Sequence, residues 1–281
     1  MKVAALILTK NEEQNIARCI ESLHWCEEIV VLDSGSQDAT CELALRAGAR
    51  VLHRPFDTFA RQRNAGLELA GFESEWVLHV DADEVFGPQI AAEITSLEPP
   101  AHIEAFEISC RMILNGRWIR HSSSFPVYQT RLVHRTAARF HDDGHGQKIA
   151  VAPDRLGRLA ATYEHHNFSK GLTDWLERHA RYALEDARAI ETGEASQRPT
   201  ATLRTSSGRR QAQKRIARRV LPLWSRPIAR FLHSYLIRGG WRDGLSGYQY
   251  ALMLSCYEAM IAAQLLERRD RSADHGPSES S

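Results

Sequence analysis

Four short apolar runs are strung between helical patterns in the first hundred residues, and this alternation is the strongest constraint on the fold. "VAALILT" (3–9) is apolar throughout and stops at "KNEE", as a strand buried on both faces does. Residues 12–24 then place Ile16, Cys19, Ile20 and Leu23 at helical spacing. "EEIVVLDSGSQDAT" (27–40) reads as a second strand, a Gly/Ser turn and a helix start. Asp38 is placed to cap that helix, and Gly48 to end it. "RVLH" (50–53) is a third strand, residues 59–71 a third helix, and "EWVLHV" (75–80) a fourth strand. The order β-α-β-α-β-α-β predicts a mostly parallel sheet with flanking helices, and ligands in such sheets bind beyond the carboxyl ends of the strands. Polar clusters fall at three of those ends: Thr9 to Glu13, Asp33 to Asp38, and Asp81 to Glu84.

From about 103 to 165, short mixed strands and loops extend the sheet, and from 170 onward the pattern is helical. The expected organisation is an α/β domain over 1–192, a linker over 193–213, a basic amphipathic helical region over 214–268 and a disordered tail over 269–281. Ser169 or Thr173 can cap the helix that follows residue 170, on which Trp175, His179 and Tyr182 share a face that suits core packing. Five widely spaced cysteines with no CxxC pair imply reduced thiols, and the N-terminal apolar run is too short for a signal peptide.

Net charge is +1, but it is unevenly spread. Residues 1–100 hold 8 Lys and Arg against 17 Asp and Glu, whereas residues 195–242 hold 12 basic residues and no acid. Within 209–238, Arg215, Arg218, Arg219, Arg226 and Arg230 alternate with apolar residues that include Trp224 and Phe231. This pattern suits an interfacial helix on an anionic membrane surface, without a crossing. A helical cap with solvated arginines is the alternative. No nucleic-acid module is recognisable, so nucleic acid is not the expected partner.

Asp81-Ala82-Asp83 closes the fourth strand with two carboxylates that repel unless a cation joins them. Oxygen donors of this kind suit Mg²⁺ or Mn²⁺ beside a substrate phosphate. Alone, such a triplet is more often a solvated loop. "HDDGHG" (141–146) also places His141 and His145 at a zinc-ligand spacing, but the intervening residues argue against a helix there.

The segments "ILTKNEEQNIARCIESL", "EEIVVLDSGSQDAT", "FARQRNAGLELA" and "WVLHVDADE" together resemble family 2 glycosyltransferases of GT-A fold, most closely the lipopolysaccharide-core glucosyltransferase branch. The resemblance implies a nucleotide-diphospho-sugar transferase fold with a C-terminal helical appendage. It implies a metal-dependent inverting transfer of a hexose from a UDP-sugar to a lipid-linked or lipopolysaccharide-type saccharide. The enzyme would be cytoplasmic and peripheral on the inner face of the plasma membrane. By the same resemblance, Thr9, Glu12 and Asp33 wall the nucleotide pocket. Arg61, Arg63 and Asn64 lie near the diphosphate, and Asp81 and Asp83 hold the metal on it. Arg61 and Arg63 also fit a plain solvated helix face. The pattern fails at Val127 and Gln147, where acids are expected, so the catalytic base falls to Asp143, with Asp142 next, unless both occupy a surface turn. A sugar-nucleotide pyrophosphorylase and a non-catalytic sugar-nucleotide-binding or scaffold relative are the competing readings.

Overall fold

The computed structural model describes residues 1–137, 139–143, 146–192 and 221–274, with no side chains at 143, 146 and 269–274. The described chain divides into two units, 1–118 with 124–169, and 119–123 with the residues from 170 onward.

The first unit is the sheet. Strands β1 (Val3–Thr9), β2 (Glu28–Asp33), β3 (Arg50–His53) and β4 (Trp76–Asp81) pair in parallel in the order β3-β2-β1-β4. Every residue of β1 is buried, as its unbroken apolar run requires. Helices α1 (Ile16–Glu21), α2 (Thr40–Arg46) and α3 (Phe59–Leu69) connect these strands. Two apolar clusters sandwich the sheet, one around Ile7, Ile20 and Val80 and the other around Leu6, Leu32 and Leu67. Each fully buried Leu or Ile contributes about 1.5–3 kcal/mol.

Beyond β4 the pairing continues β4-β8-β6-β11-β5, through β8 (Tyr128–His134), β6 (Ala105–Leu114), β11 (Leu156–His165) and β5 (Glu84–Val85). β8 runs antiparallel to β4 and β6, so β6 and β11 again point the same way as β4. Only Ala82 and Asp83 separate β4 from β5, and β5 pairs with the carboxyl end of β11. That turn therefore joins the carboxyl ends of β4 and β11. α4 (Pro88–Thr95) follows β5, and β7 (Arg117–Trp118) pairs with β6. Strands β9 (Phe140–Asp143) and β10 (Gly146–Ile149) form a separate antiparallel hairpin, so His141 stands on a strand and not a helix, and His145 lies outside the described residues.

The second unit is helical. α5 (Gly171–Glu191), α6 (Arg226–Leu232) and α7 (Gly244–Asp274) are its long elements. Ala183 and Ala187 of α5 pack with Leu223 and with Ile261, Ala262 and Leu265 of α7. That core corrects two expected boundaries. α5 groups with the C-terminal helices, so the first unit ends at 169 rather than 192, and α7 continues to Asp274, past the expected start of the tail at 269. The expected linker, 193–213, lies outside the described residues. Neither Ser169 nor Thr173 caps α5: its N-cap is Lys170, without a side-chain bond, and Ser169 Oγ accepts a hydrogen bond from Asn15 instead. Trp175 is buried and stacks on His179, as core packing requires. Residues 119–123 join this unit through buried Asp243, whose carboxylate accepts the backbone N–H groups of His121 and Ser122 and the Ser122 hydroxyl. Among the described residues no helix is long and apolar enough to cross a membrane.

Candidate active site

Parallel register sets the site. Thr9 pairs with Asp33 and Asp33 with His53, so these three form one row along the carboxyl edge, while Asp81 pairs with Leu8 and lies one residue short of that row. The loops beyond the row are tied together. Asn11, at φ 53°, accepts from Gln37 N–H and donates its own N–H to Ser36 Oγ, and Glu12 N–H bonds Thr40 Oγ1. Asp38 accepts from Thr40 N–H at the start of α2, although the N-cap of that helix is Ala39 and not Asp38 as expected.

Asp33 is buried, and its carboxylate accepts the N–H groups of Gly35 at 2.9 Å and Ser36 at 3.0 Å. Burial alone would raise its pKa, but these bonds and the Ser36 hydroxyl hold it below the usual carboxylate range. Asp33 therefore fixes the turn that follows β2. Thr9 Oγ1 is buried with no hydrogen-bond partner among the described residues. Glu12 carries a bond from Asn15, and both stand on the first of these loops.

The strand-end acids sit in a cluster of cations. Arg63 of α3 and Arg131 of β8 each donate to Asp81 at 2.7 Å, one to each oxygen. The same Arg131 nitrogen bonds the buried Glu84, whose other oxygen accepts Asp81 N–H at 3.0 Å. Arg131 Nε reaches the Tyr163 hydroxyl at 3.2 Å. His165 of β11 lies 3.3 Å from Asp83. Burial would raise the pKa of Asp81, but Arg131 and Arg63 outweigh it and keep the group ionised. Burial likewise opposes the charge on Asp83, and His165 outweighs it. Glu84 goes the other way: burial, reinforced by Asp81 and opposed by Arg131, pushes it up to about 7. The side chain of Asp81 remains 34% exposed, so this knot opens toward solvent.

The other candidates are dispersed. Arg61 is exposed on α3, 3.9 Å from Asp57. Asn64 commits its amide to the Phe140 backbone, accepting at 2.9 Å and donating at 2.8 Å, so it anchors the β9–β10 hairpin rather than reaching toward a phosphate. Asp142 is exposed on that hairpin, and the side chain of Asp143 lies outside the described residues. Among the described residues, Asp33, Cys41 and His53 are the one group of three metal-ligating types whose donor atoms lie within 4.8 Å of one another. Its Asp33 oxygens are already engaged by the β2 turn. A cleft of about 570 Å³ lined by Met1, Lys2, Trp76 and His134 opens at the amino ends of β1 and β4, the edge opposite the acids.

Sequence reasoning did not include Arg131, Glu84 or Tyr163 in the site. The signal was an arginine inside "YQTRLVH", since a charge within a largely apolar strand requires a buried partner.

A mostly parallel sheet with clustered acids at its carboxyl edge is the architecture of nucleotide-sugar transferases of the GT-A type. The glycosyl transferase family 2 model matches residues 5–162, and the chain belongs to that family. It is a glycosyltransferase, which removes the pyrophosphorylase reading. A lipopolysaccharide core biosynthesis glycosyltransferase, LpsC, of Rhizobium meliloti is 27% identical over 274 residues, covering 95% of this chain and 93% of its own. An uncharacterized glycosyltransferase of Rickettsia conorii is 36% identical over 94 residues, 33% of each chain. Among solved structures, glucosyl-3-phosphoglycerate synthase of Mycobacterium tuberculosis, in complex with Mn²⁺ and UDP, is 18% identical. It has a TM-score of 0.46 and covers 68% of this chain and 79% of its own.

Two predictions follow from the charge cluster. Arg131→Met strands Asp81 and Glu84 in a buried site, and urea denaturation should show a loss of about 3–5 kcal/mol. Adding Glu84→Gln should recover part of it, and an undiminished midpoint in the single variant would contradict the pairing. His79 is fully buried on β4, and burial, with Arg63 and Arg131, holds its pKa well below the ordinary 6.5. The unfolded chain therefore takes up a proton below 6.5 that the folded chain refuses, and stability falls as pH falls. Between pH 6.5 and 5.5, His79→Leu should lose about 1 kcal/mol less than wild type. Parallel pH profiles would contradict it.

Proposed function

We propose that the enzyme is an inverting hexosyltransferase that takes its sugar from a nucleoside diphosphate, UDP before the others. It passes the sugar to a lipid-linked or lipopolysaccharide-type saccharide at the cytoplasmic face of the plasma membrane. The observation that carries the reading is the gathering of Thr9, Asp33 and His53 in one row at the carboxyl edge, with Asp81 at the end of the neighbouring β4 and Asp83 in the turn just beyond it. The name of the Rhizobium relative, matched over nearly its whole length, supports the acceptor class.

A divalent ion, Mg²⁺ or Mn²⁺, fits the donors present. Asp83 offers a carboxylate beside the imidazole of His165, and both atom types ligate Mn²⁺. Each oxygen of Asp81 is held by a guanidinium, which leaves Asp83 the more available of the two acids. When bound, the ion neutralises charge that develops on the departing diphosphate. The chain's own residues do the rest. Arg63 and Arg131 fix Asp81 and keep positive charge under the edge, where a charge-separating transition state benefits. Thr9, Glu12 and the Asp33 turn shape the nucleotide end, and Arg61, exposed on α3, is available to a phosphate. An inverting transfer also requires a base on the acceptor hydroxyl, and Asp143, with Asp142 next, is our assignment on the β9–β10 hairpin.

The test is transfer of labelled hexose from a panel of nucleotide sugars to purified core lipopolysaccharide, with Mn²⁺ or EDTA. Asp83→Asn should lower kcat/KM by about 10²–10³-fold, as loss of a transition-state charge stabiliser does. Asp143→Asn should lower kcat by about 10²–10⁴-fold with donor affinity unchanged. Full activity in EDTA would overturn the metal assignment, and full activity of Asp143→Asn would move the base to Asp142.

A further inference from the structure

The second unit exposes large apolar side chains in a regular order. Trp224, Ile228, Leu232 and Leu236 recur every four residues from the 3-10 turn Leu223–Ser225 through α6 and the π-helical turn that follows it, His233–Ile237. Ile237 is 77% exposed, Trp241 57% and Leu245, on the first turn of α7, 78%. Three rings knit these segments into one surface: Phe231 of α6 stacks on Tyr235 of the turn at 5.4 Å, and both meet Tyr248 of α7 at 5.7 Å. A well-packed water-soluble face does not present tryptophan, isoleucine and leucine in this density without a use for them.

The charge around the surface has one sign. Between residues 221 and 257 the basic residues are Arg226, Arg230, Arg238 and Arg242, and the single acid is Asp243. Asp243 is buried, with its carboxylate turned to the His121–Ser122 backbone and the Ser122 hydroxyl. The Arg242 guanidinium lies 5.5 Å over the Trp241 ring, at the junction of aromatic and basic surface.

We propose that this face, centred on Trp224, Ile237, Trp241 and Leu245, docks the enzyme onto an anionic lipid bilayer. The side chains enter the headgroup–acyl boundary while the arginines meet lipid phosphates. The proposal rests on the membrane-acceptor reading for its purpose, and its physical basis is independent of the donor site. An anionic bilayer complements a segment whose accessible charge is basic, with Arg242 exposed and Arg230 half-buried, whereas a two-fold contact with a second copy would bring that charge against itself. No described helix is long and apolar enough to cross a membrane, so the face lies on the bilayer rather than through it. This places the membrane contact further along the chain than Arg215, Arg218 and Arg219, which lie outside the described residues. It also adds Ile237, Trp241 and Leu245.

The experiment is flotation of the full chain with vesicles of phosphatidylcholine alone or mixed with phosphatidylglycerol, at low and high salt. Wild type should float with the anionic vesicles, be released by salt, and show a blue shift of tryptophan emission on binding. The triple variant Trp224→Ser/Ile237→Ser/Leu245→Ser removes exposed side chains only, and it should lower vesicle affinity by about tenfold or more. Arg230→Gln/Arg242→Gln should weaken binding to anionic vesicles and reduce its salt sensitivity. Flotation of the triple variant equal to wild type would overturn the proposal. So would a wild-type dimer in light scattering that the triple variant converts to monomer, which would assign the face to a second copy. UDP titration of the same samples separates the two readings. Nucleotide binding without vesicle binding defeats the docking face alone, and vesicle binding without nucleotide binding defeats the donor site alone.

Discussion

The guanidinium of Arg131 is the contact on which the carboxyl edge of the sheet depends. One of its nitrogens bonds both Asp81 and Glu84, and its Nε reaches Tyr163. These partners come from β4, β5 and β11, so with its own β8 one side chain ties four strands together. An ion pair removed from water costs nearly as much as its attraction returns, and such a contact is a poor source of stability. Its consequence is orientation. With Arg63 on one oxygen and Arg131 on the other, the Asp81 carboxylate is held ionised in one direction, while Asp83 pairs with His165. A preorganised edge of this kind does not have to reorient when charge develops on a leaving group.

The rest of the first unit supports that edge. β1, buried along its whole length, sets the register that aligns Thr9 with Asp33. The short β4–β5 turn then draws the carboxyl end of β11 to that of β4, and this brings His165 to Asp83. The loops after β1 and β2 are tied to each other by Asn11, Glu12 and Thr40, so this part of the edge is braced.

Much of this was legible in the sequence because it depends on local pattern. Apolar runs such as "VAALILT" can be buried only on both faces, and acids that close such strands stand at the ligand edge of a parallel sheet. Pairings between distant segments were not legible. Arg131 lies 50 residues from Asp81 and His165 lies further still, and no spacing rule connects them. Asn64 looked like a phosphate ligand, but its amide is matched to the Phe140 backbone by a hairpin that was read only as mixed strands and loops. The boundary at 192 failed for a similar reason. The pattern of α5 shows that it is helical and amphipathic, but not that its small residues fit against α7.

The central claim is that the strand-end acids hold a cation against a nucleoside diphosphate. The most direct test is calorimetric titration of the purified chain with UDP, GDP, CDP and ADP, each with Mn²⁺ and with EDTA. The account predicts selective binding, UDP before the others, that requires the metal and disappears in Asp83→Ala while the fold survives. Binding of UDP that is equally tight in EDTA and in Asp83→Ala would contradict it.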